Sequence, residues 1–421
     1  MKILIRQARI VDPSSPHHGQ VKDLYIENGI IRLIEDHIES EADKTVEFAN
    51  LHLSTGWMDV FANFADPGYE FKETMETGAG AAVKGGYTDV MLIPNTQPVV
   101  HNKSGIEYLV QKGKTLPVNI HPIGAVTKNT NGEELAEMYD MKASGAIAFS
   151  DGTHSIQSAG LLLKALQYIK TFNGVLIQLP DDKTINPQGL MNEGIVSTQL
   201  GLPGKPSMSE EIVIDRDIKL AKYTESGIHF TGVTSAKSLD YIKAAKQEGI
   251  KVSCSVTPDH LFFCDEDLVT YDTNLKINPP LRTREDRSSL QNAIKEGIID
   301  CIATHHLPHE KDSKLVEFEY AKYGTIGLET AYAAINTAMP GEKQETWVKV
   351  LSSNPRKLFG LPALSIAIDQ PACLTAFDPA QNWTVELKDI KSRSKNSPYL
   401  QKTLTGKVLA TINKDQLFLN T

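Results

Sequence analysis

Between residues 56 and 306, short apolar segments alternate with amphipathic helical patterns, and this alternation restricts the chain to few folds. The eight apolar segments are GWMDVFANF, YTDVMLIPN, VNIHPIGAV, GAIAFSD, GVLIQLP, IHFTGVTS, KVSCSVTP and DCIATHH. Helical patterns such as SAGLLLKALQYIKTF and SAKSLDYIKAAKQEG follow most of them. Apolar strands separated by helices indicate a parallel sheet, and eight such units fit a closed (β/α)₈ barrel of the TIM type. An open doubly wound sheet is the alternative, which the lack of G-x-G-x-x-G after a strand disfavours.

The two ends of the chain carry a different pattern. KILIRQARIVD, VKDLYIENGIIRLIE and TVEFANLHLS at the start, and ACLTAFDP, WTVEL and GKVLATINKDQLFLN at the end, are short β runs broken by turn residues. We therefore expect residues 1–52 and 364–421 to form one small composite β-sandwich domain. The barrel would span 53–363, and a chain of 421 residues suits this division.

Composition excludes several classes of partner and location. A formal net charge of -9 argues against nucleic acid, which requires a basic face. No apolar run approaches the roughly 18 residues of a membrane span, and the start has no signal-peptide pattern. The four cysteines show no C-x-x-C pairing and are typical of reduced thiols, so we expect a cytoplasmic protein.

Functional residues of a barrel of this kind lie at the carboxyl ends of its strands. The residues there include few of the convergent His, Cys or carboxylate groups that zinc requires. His305, His306 and His309 form a cluster after the last strand. Neighbouring positions on a strand face opposite ways, so we expect polar loop histidines with at most one in a pocket. His121 and His229 lie inside apolar strands and are predicted to be hydrogen-bonded core residues.

Several motifs resemble those of the dihydroorotases, which are zinc-dependent cyclic amidohydrolases of pyrimidine biosynthesis. GWMDVFANFADPGYEFKETMETGAGAAVKGGYTDVMLIPNTQPV is similar to their strand-one signature, Asp-x-His-x-His-x-Arg-x-Pro-Gly followed by Lys-Glu-Thr and Pro-Asn-Thr. The resemblance continues in order through GLMNEGIVSTQLGLPGKPSMSEE, KINPPLRTREDR, IGLET, NPRKLFGL and SRSKNSPY, so it covers nearly the full chain. It implies the amidohydrolase type of (β/α)₈ barrel.

The family's metal-binding positions are largely replaced here. The histidine ligands align with non-ligating residues, and the Asp that is both ligand and general base aligns with a histidine. In chain order, the aligned positions are Phe61, Asn63, Asp151, Gln178, Gly232 and His305. Only Asp151 keeps a carboxylate, and the substrate-binding Arg aligns with Ala65. One carboxylate cannot hold zinc, so the sequence predicts no catalytic residue intact, no bound metal and no cofactor.

Part of the family's substrate side is kept. Asn95, Asn278 and His309 occupy substrate-contact positions of the resembled family. They could bind a carbamoyl or dihydroorotate-like ligand, or they could serve only to hydrogen-bond loop backbone.

Three functions follow from the resemblance. The first is an inactive dihydroorotase-like protein that acts as a structural or regulatory partner, with aspartate transcarbamoylase or a second copy of itself as partner. The second is an active dihydroorotase or related cyclic amidohydrolase with a rebuilt metal site around Asp151 and nearby histidines, or one working without metal. The third is a ligand-binding module.

Overall fold

The computed structural model describes residues 1–420, and eight of its strands form the predicted parallel barrel. In chain order, the strands are β1 Lys2–Ile10, β2 Val21–Glu27, β3 Ile30–Glu35, β4 Lys44–Val46, β5 His52–Thr55, β6 Trp57–Ala62, β7 Tyr87–Leu92, β8 Asn119–Gly124, β9 Ala148–Phe149, β10 Val175–Gln178, β11 Met191–Asn192, β12 Gly204–Lys205, β13 Gly227–Phe230, β14 Val252–Val256, β15 Cys301–Ile302, β16 Leu374–Thr384, β17 Thr403–Asn413 and β18 Gln416–Leu419.

The helices lie mainly between consecutive barrel strands. They are α1 Met75–Lys84, α2 Lys103–Gly113, α3 Met138–Ala143, α4 Ala159–Lys170, α5 Ile195–Leu200, α6 Met208–Thr224, α7 Ala236–Gln247, α8 Pro258–Phe262, α9 Arg284–Lys295, α10 Ala331–Ala338, α11 Gln344–Val348 and α12 Asn354–Leu358. Short polar residues start several of them, because their side chains accept hydrogen bonds from backbone N–H groups left free in the first turn. Thr74, Ser158, Ser235 and Thr283 cap α1, α4, α7 and α9 in this way.

The barrel strands neighbour one another in the order β6-β7-β8-β9-β10-β13-β14-β15, and each overlaps one of the predicted apolar segments. An isolated parallel bridge between Ala62 and His306 brings the first and last strands together. The backbone N–H of Asn63 donates to the carbonyl of His306 at 2.8 Å beside it. The carboxyl ends of β6 and β15 are therefore adjacent.

Strands from both ends of the chain share a second sheet, whose order is β18-β17-β16-β5-β1-β2-β3, with β4 paired to β1. The antiparallel pairing of β16 with β5 joins the two ends, and Leu374 is in register with Thr55. Ile3, Leu24 and Leu409 are among the buried residues of its own apolar core. The division at 52 and 364 into separate folding units stays a prediction.

The C-terminal part also contacts the barrel directly. Ser392 donates a hydrogen bond to the buried carboxylate of Glu73, and the backbone N–H of Arg393 donates to the same carboxylate at 2.9 Å. Residues 390–399 therefore lie against the carboxyl-terminal end of the barrel. Within residues 1–420, no helix has both the length and the hydrophobicity to cross a bilayer.

Candidate functional site

A cavity of about 520 Å³ opens at the carboxyl ends of the barrel strands, where the sequence predicts functional residues. Residues that follow β6, β7, β14 and β15 line it. The lining residues include Phe61, Asn95, Asp259, Asn278, His305 and His309. The walls combine apolar rings with a few polar groups, which is the usual make-up of a small-molecule site.

The strand-one positions fill the cavity rather than offering metal donors. The ring of Phe61 packs on the imidazole of His305, with 4.6 Å between centroids. The Asn63 amide oxygen accepts from the backbone N–H of Ala65 at 2.6 Å, and its nitrogen donates to the Asn95 carbonyl at 3.2 Å. Asn63 therefore shapes the turn after β6.

Asp151 is the one acidic residue among the predicted ligand positions, and its oxygens accept hydrogen bonds from a turn. One oxygen accepts the backbone N–H groups of Val126 and Thr127 at 2.9 and 2.8 Å, and the other accepts the Thr127 hydroxyl at 2.5 Å. Burial raises the pKa of this carboxyl to about 6, although these hydrogen bonds work to lower it. The side chain is not part of the cavity wall.

The side chain of Gln178 is likewise engaged in hydrogen bonds inside the protein. Its amide nitrogen donates to the buried carboxylate of Asp217 at 3.1 Å, and its oxygen accepts from the backbone N–H of Ile156 at 3.3 Å. Burial raises the pKa of Asp217 to about 6, against the hydrogen bond and charge of Arg216. The amide thus ties β10 to α6.

His305 takes the space at the centre of the mouth. Its Nε2 lies 2.8 Å from the hydroxyl of Thr231, and its φ of 47° is in the left-handed region. Burial lowers the pKa of this imidazole to about 3, so the ring is neutral at physiological pH. A neutral ring that a proton scarcely binds is a poor general base.

The expectation that at most one of the three clustered histidines lies in a pocket is wrong. His305, His306 and His309 all line the cavity, because the chain leaves strand geometry after Ile302 and the alternation of faces no longer applies. His306 is fully buried and faces the carboxylate of Glu73 at 3.4 Å. The prediction for His229 as a hydrogen-bonded core residue is confirmed, since both of its ring nitrogens have hydroxyl partners.

The three predicted substrate-binding residues all line the cavity but differ in what they offer. The Asn95 amide donates to the Asp151 carbonyl and accepts from the Thr153 backbone, so it is engaged with loop backbone. The Nε2 of His309 contacts the Tyr323 carbonyl at 2.9 Å, while its Nδ1 is buried without a partner. Asn278 makes no side-chain hydrogen bond within residues 1–420, so its amide is available to a ligand.

Sequence reasoning missed Asp259 and His260, although they directly follow the seventh predicted strand and obey the same positional rule. Asp259 is 3 % exposed, lines the cavity and accepts a hydrogen bond from the Tyr399 hydroxyl at 2.8 Å. Burial raises the pKa of this carboxyl to about 7, against the effect of Tyr399. It is the only carboxylic residue of the cavity wall among residues 1–420.

Two lysines give the cavity a positive rim. Lys72 and Lys322 line it, and neither ammonium group forms a salt bridge within residues 1–420. Burial lowers the pKa of Lys72, and the nearby Glu310 counters this while Lys322 adds to it. Two cations at one mouth favour an anionic ligand.

The barrel, the added sheet and a polar cavity at the carboxyl ends of the strands define an amidohydrolase-type protein. Solved structures of this fold cover nearly the whole chain. The L-hydantoinase (dihydropyrimidinase) from Arthrobacter aurescens superposes with a TM-score of 0.85 at 22% identity, covering 99% of this chain and 95% of that one. A D-hydantoinase structure gives 0.82 at 17% identity, covering 100% and 95%.

The sequence comparisons give the family. A model of the dihydro-orotase-like family matches residues 52–238. A dihydroorotase of Syntrophus aciditrophicus (strain SB) is 36% identical over 417 residues, 98% of each chain. A dihydroorotase of Pelotomaculum thermopropionicum (strain DSM 13744 / JCM 10971 / SI) is 37% identical, covering 98% of this chain and 97% of the relative. The chain therefore belongs to the dihydroorotase-like family.

These comparisons contradict the prediction that no cofactor is involved, because the similar proteins are dihydroorotases and hydantoinases, which are metal-dependent enzymes. The donors of this chain nevertheless do not fit a metal centre of that kind. Nowhere in residues 1–420 do three His, Cys, Asp or Glu side chains converge as ligands would. Phe61 and Gly232 offer no donor, and the oxygens of Asp151 already accept hydrogen bonds. We therefore derive no chemical step through a metal.

Proposed function

We propose that this protein is a dihydroorotase-like protein of pyrimidine biosynthesis whose barrel cavity binds dihydroorotate or its ring-opened carbamoyl form. The cavity of about 520 Å³ is ample for a single six-membered ring. Asn278 supplies an unengaged amide for the ureide group, and Lys72 and Lys322 supply positive charge for the carboxylate. The unengaged polar groups and the positive rim at one cavity are the observation that carries the binding proposal.

We infer further that the bound ring is not opened by the family's hydrolytic machinery. Hydrolysis requires an activated water and a group that polarises the scissile carbonyl. Phe61 and His305 pack together where that machinery would lie, and burial holds the pKa of His305 near 3. These contacts support a protein that binds the ligand without turning it over, which combines the inactivity of the first function inferred from the sequence with the ligand binding of the third.

The second candidate is an active dihydroorotase or related cyclic amidohydrolase. Full-length matches at 36% and 37% identity to proteins named dihydroorotase favour it. The structure adds one group that could transfer a proton in such an enzyme. The buried carboxyl of Asp259 lines the cavity with a pKa raised to about 7 by burial, which suits proton transfer near neutral pH.

Binding and turnover can be measured on the same purified protein. Isothermal titration calorimetry with dihydroorotate, N-carbamoylaspartate and uncharged dihydrouracil tests the cavity, and Lys322→Met tests the positive rim. Ring opening is assayed with and without added zinc, and the metal content is determined by mass spectrometry.

Binding of the two acids without turnover would support the inactive ligand-binding protein. Turnover that Asp259→Asn abolishes would support the active cyclic amidohydrolase. Absence of binding for all three compounds would overturn the proposal as a whole.

We also propose that the protein associates with a second copy of itself or with aspartate transcarbamoylase, as the family resemblance implies. Light scattering of the protein alone gives its oligomeric state. A pull-down with purified aspartate transcarbamoylase, repeated with dihydroorotate present, tests the second partner. A monomer that fails to retain the transcarbamoylase would overturn this part.

A further inference from the structure

A continuous file of hydrogen bonds runs along the inside of the barrel and ends at the cavity. The hydroxyl of Ser253 lies 2.8 Å from His229 Nδ1, and His229 Nε2 lies 3.0 Å from the hydroxyl of Ser255. Ser255 Oγ lies 2.9 Å from Thr231 Oγ1, which lies 2.8 Å from His305 Nε2. We call these five residues the barrel file.

Strand register explains why these side chains meet. β13 and β14 are parallel neighbours, with His229 in register with Ser253. Alternate residues on a strand face the same side, so Thr231 and Ser255 point inward with the first pair, one step nearer the mouth. All four are buried in the barrel interior. His305 then meets the last hydroxyl from the loop after β15.

The hydrogen bonds of the barrel file have a direction. Ser255 donates its single hydroxyl hydrogen to Thr231. His305 Nε2 is the only other partner of Thr231 Oγ1 within the described chain, so the Thr231 hydrogen goes to that nitrogen. His305 Nε2 is then an acceptor. Because burial keeps the pKa of this imidazole near 3 and the ring neutral, its one proton resides on Nδ1.

The hydrogen bonds at the His229 end of the barrel file run in the same direction. Since Ser255 has used its hydrogen on Thr231, it accepts from His229, which must carry its proton on Nε2. His229 Nδ1 then accepts the hydroxyl hydrogen of Ser253. Burial lowers the pKa of His229 to about 3 as well, so it too is neutral. His229, Ser255 and Thr231 thus each donate once and accept once, Ser253 donates at one end, and His305 accepts at the other.

The proton on His305 Nδ1 faces the cavity. His305 lines the cavity wall, and its Nδ1 has no partner among residues 1–420. His305 Nδ1 is not fully buried, whereas His309 Nδ1 is buried without a partner. A ligand can therefore reach it.

We propose that the barrel file fixes His305 as an N–H donor that binds a carbonyl oxygen of the ligand in the cavity. This inference rests on the proposed function for the identity of the ligand, a cyclic ureide with ring carbonyls. The ring is held in place before the ligand arrives, because Phe61 packs on it and Thr231 hydrogen-bonds its Nε2. A donor that needs no reorientation binds an oxygen at little entropic cost. Thr231 and Ser255 are positioning residues.

Nuclear magnetic resonance of the full-length protein with ¹⁵N-labelled histidine tests the direction. The protonated and unprotonated ring nitrogens have different ¹⁵N signals, and His305→Gln assigns the resonances of His305. We expect the proton on Nδ1 in the free protein and in Thr231→Ser, which keeps the hydroxyl. In Thr231→Val, Nε2 loses its donor and both tautomers should be populated. A purely structural role of Thr231 would not shift this signal.

Binding of dihydroorotate, measured by calorimetry, tests recognition. Thr231→Val should weaken binding about fivefold, the usual worth of one hydrogen bond, while Thr231→Ser binds as the native chain does. Ser255→Ala frees Thr231 to reverse and provides a second variant should Thr231→Val not fold. A proton on Nε2 of native His305, or unchanged affinity in both variants, would overturn the inference. Failure of the native chain to bind any ring compound would instead overturn the proposed function, and the recognition step with it.

Discussion

Gly232 leaves the space that the imidazole of His305 occupies. A Cβ at position 232 would lie 2.7 Å from His305 Cε1 and 3.2 Å from the ring of Pro279, and the φ of 69° is itself one that side chains avoid. The absence of a side chain at Gly232 and the position of the His305 ring are therefore parts of a single packing arrangement. The residues at the mouth of the barrel are packed around His305.

Gly232→Ala should displace His305 and destabilise the fold. The added methyl meets the ring and its neighbour, and the left-handed backbone adds a further penalty, so we expect a loss of about 2–4 kcal/mol in the free energy of unfolding. Gly201→Ala is the matched control, because Gly201 has a φ of 67° with nothing within 4 Å of the added carbon. That variant should lose only about 1 kcal/mol. Urea unfolding measures both, and equal losses would contradict the packing relationship.

Arg356→Met should be among the most destabilising single changes. Arg356 pairs with the carboxylate of Asp89 in the barrel wall, and both side chains are buried. Removing the guanidinium leaves a buried charge with less compensation, at a cost of about 3–5 kcal/mol. Arg32→Met removes the exposed partner of Asp369 and should cost less than about 1 kcal/mol. Denaturant unfolding of the two variants side by side measures the difference.

The ion pair of Asp89 and Arg356 should also make the free energy of unfolding depend on pH in the acid range. Burial works to raise the pKa of Asp89, but the hydrogen bond from His121 and the charge of Arg356 outweigh it, so the folded pKa is below 3.8. The unfolded chain therefore binds the proton first, and the stabilisation is present above about pH 4 and lost as the pH falls further. In Arg356→Met this loss should begin at a higher pH.

Asp259→Asn should remove the contribution of this carboxyl to the pH dependence of the free energy of unfolding. The folded pKa of Asp259 is raised by burial to about 7, well above the 3.8 of an unburied carboxyl. Between these values the folded chain binds the extra proton, so this group stabilises the fold below about pH 4, and the contribution declines as pH rises through 7. The native chain should lose up to about 1.4 kcal/mol per pH unit relative to Asp259→Asn over this window. Thermal unfolding of both proteins from pH 4.5 to 8 checks it, and parallel curves would contradict the raised pKa.

Asn396→Ala should loosen the cavity wall. The Asn396 amide oxygen accepts from the backbone of His309, and its nitrogen donates to the carbonyls of Leu307 and Gly324. Without these bonds, the loop carrying His309 should show faster amide hydrogen exchange and ligand affinity should fall several-fold. Asn382→Ala, at an exposed position whose side chain bonds Thr405, is the control and should change neither. An unchanged exchange rate over residues 305–326 would contradict the bracing role.

The positional rule for barrel strand ends worked unevenly along this sequence. It led to His309, which lines the cavity, whereas the family resemblance led to Asn95, which also lines it, and to Asp151, whose carboxylate accepts hydrogen bonds from backbone N–H groups instead. The rule applied equally to Asp259, but a single acid after a strand has no pattern that separates it from a surface turn. Only the enclosure by Tyr399, contributed from residues more than a hundred positions later, marks it as a buried group.

The eight barrel strands and the sheet shared by both ends could be predicted from the sequence, because periodicity and local motifs are properties of neighbouring residues. Which side chains fill the mouth of the barrel could not be predicted in this way. Phe61 lies in β6, and Gly232 and His305 lie in the loops after β13 and β15, so the packing of the His305 ring depends on distances between distant parts of the chain. The barrel file is of the same kind, since its direction follows from which hydroxyl reaches which nitrogen across β13, β14 and the loop after β15.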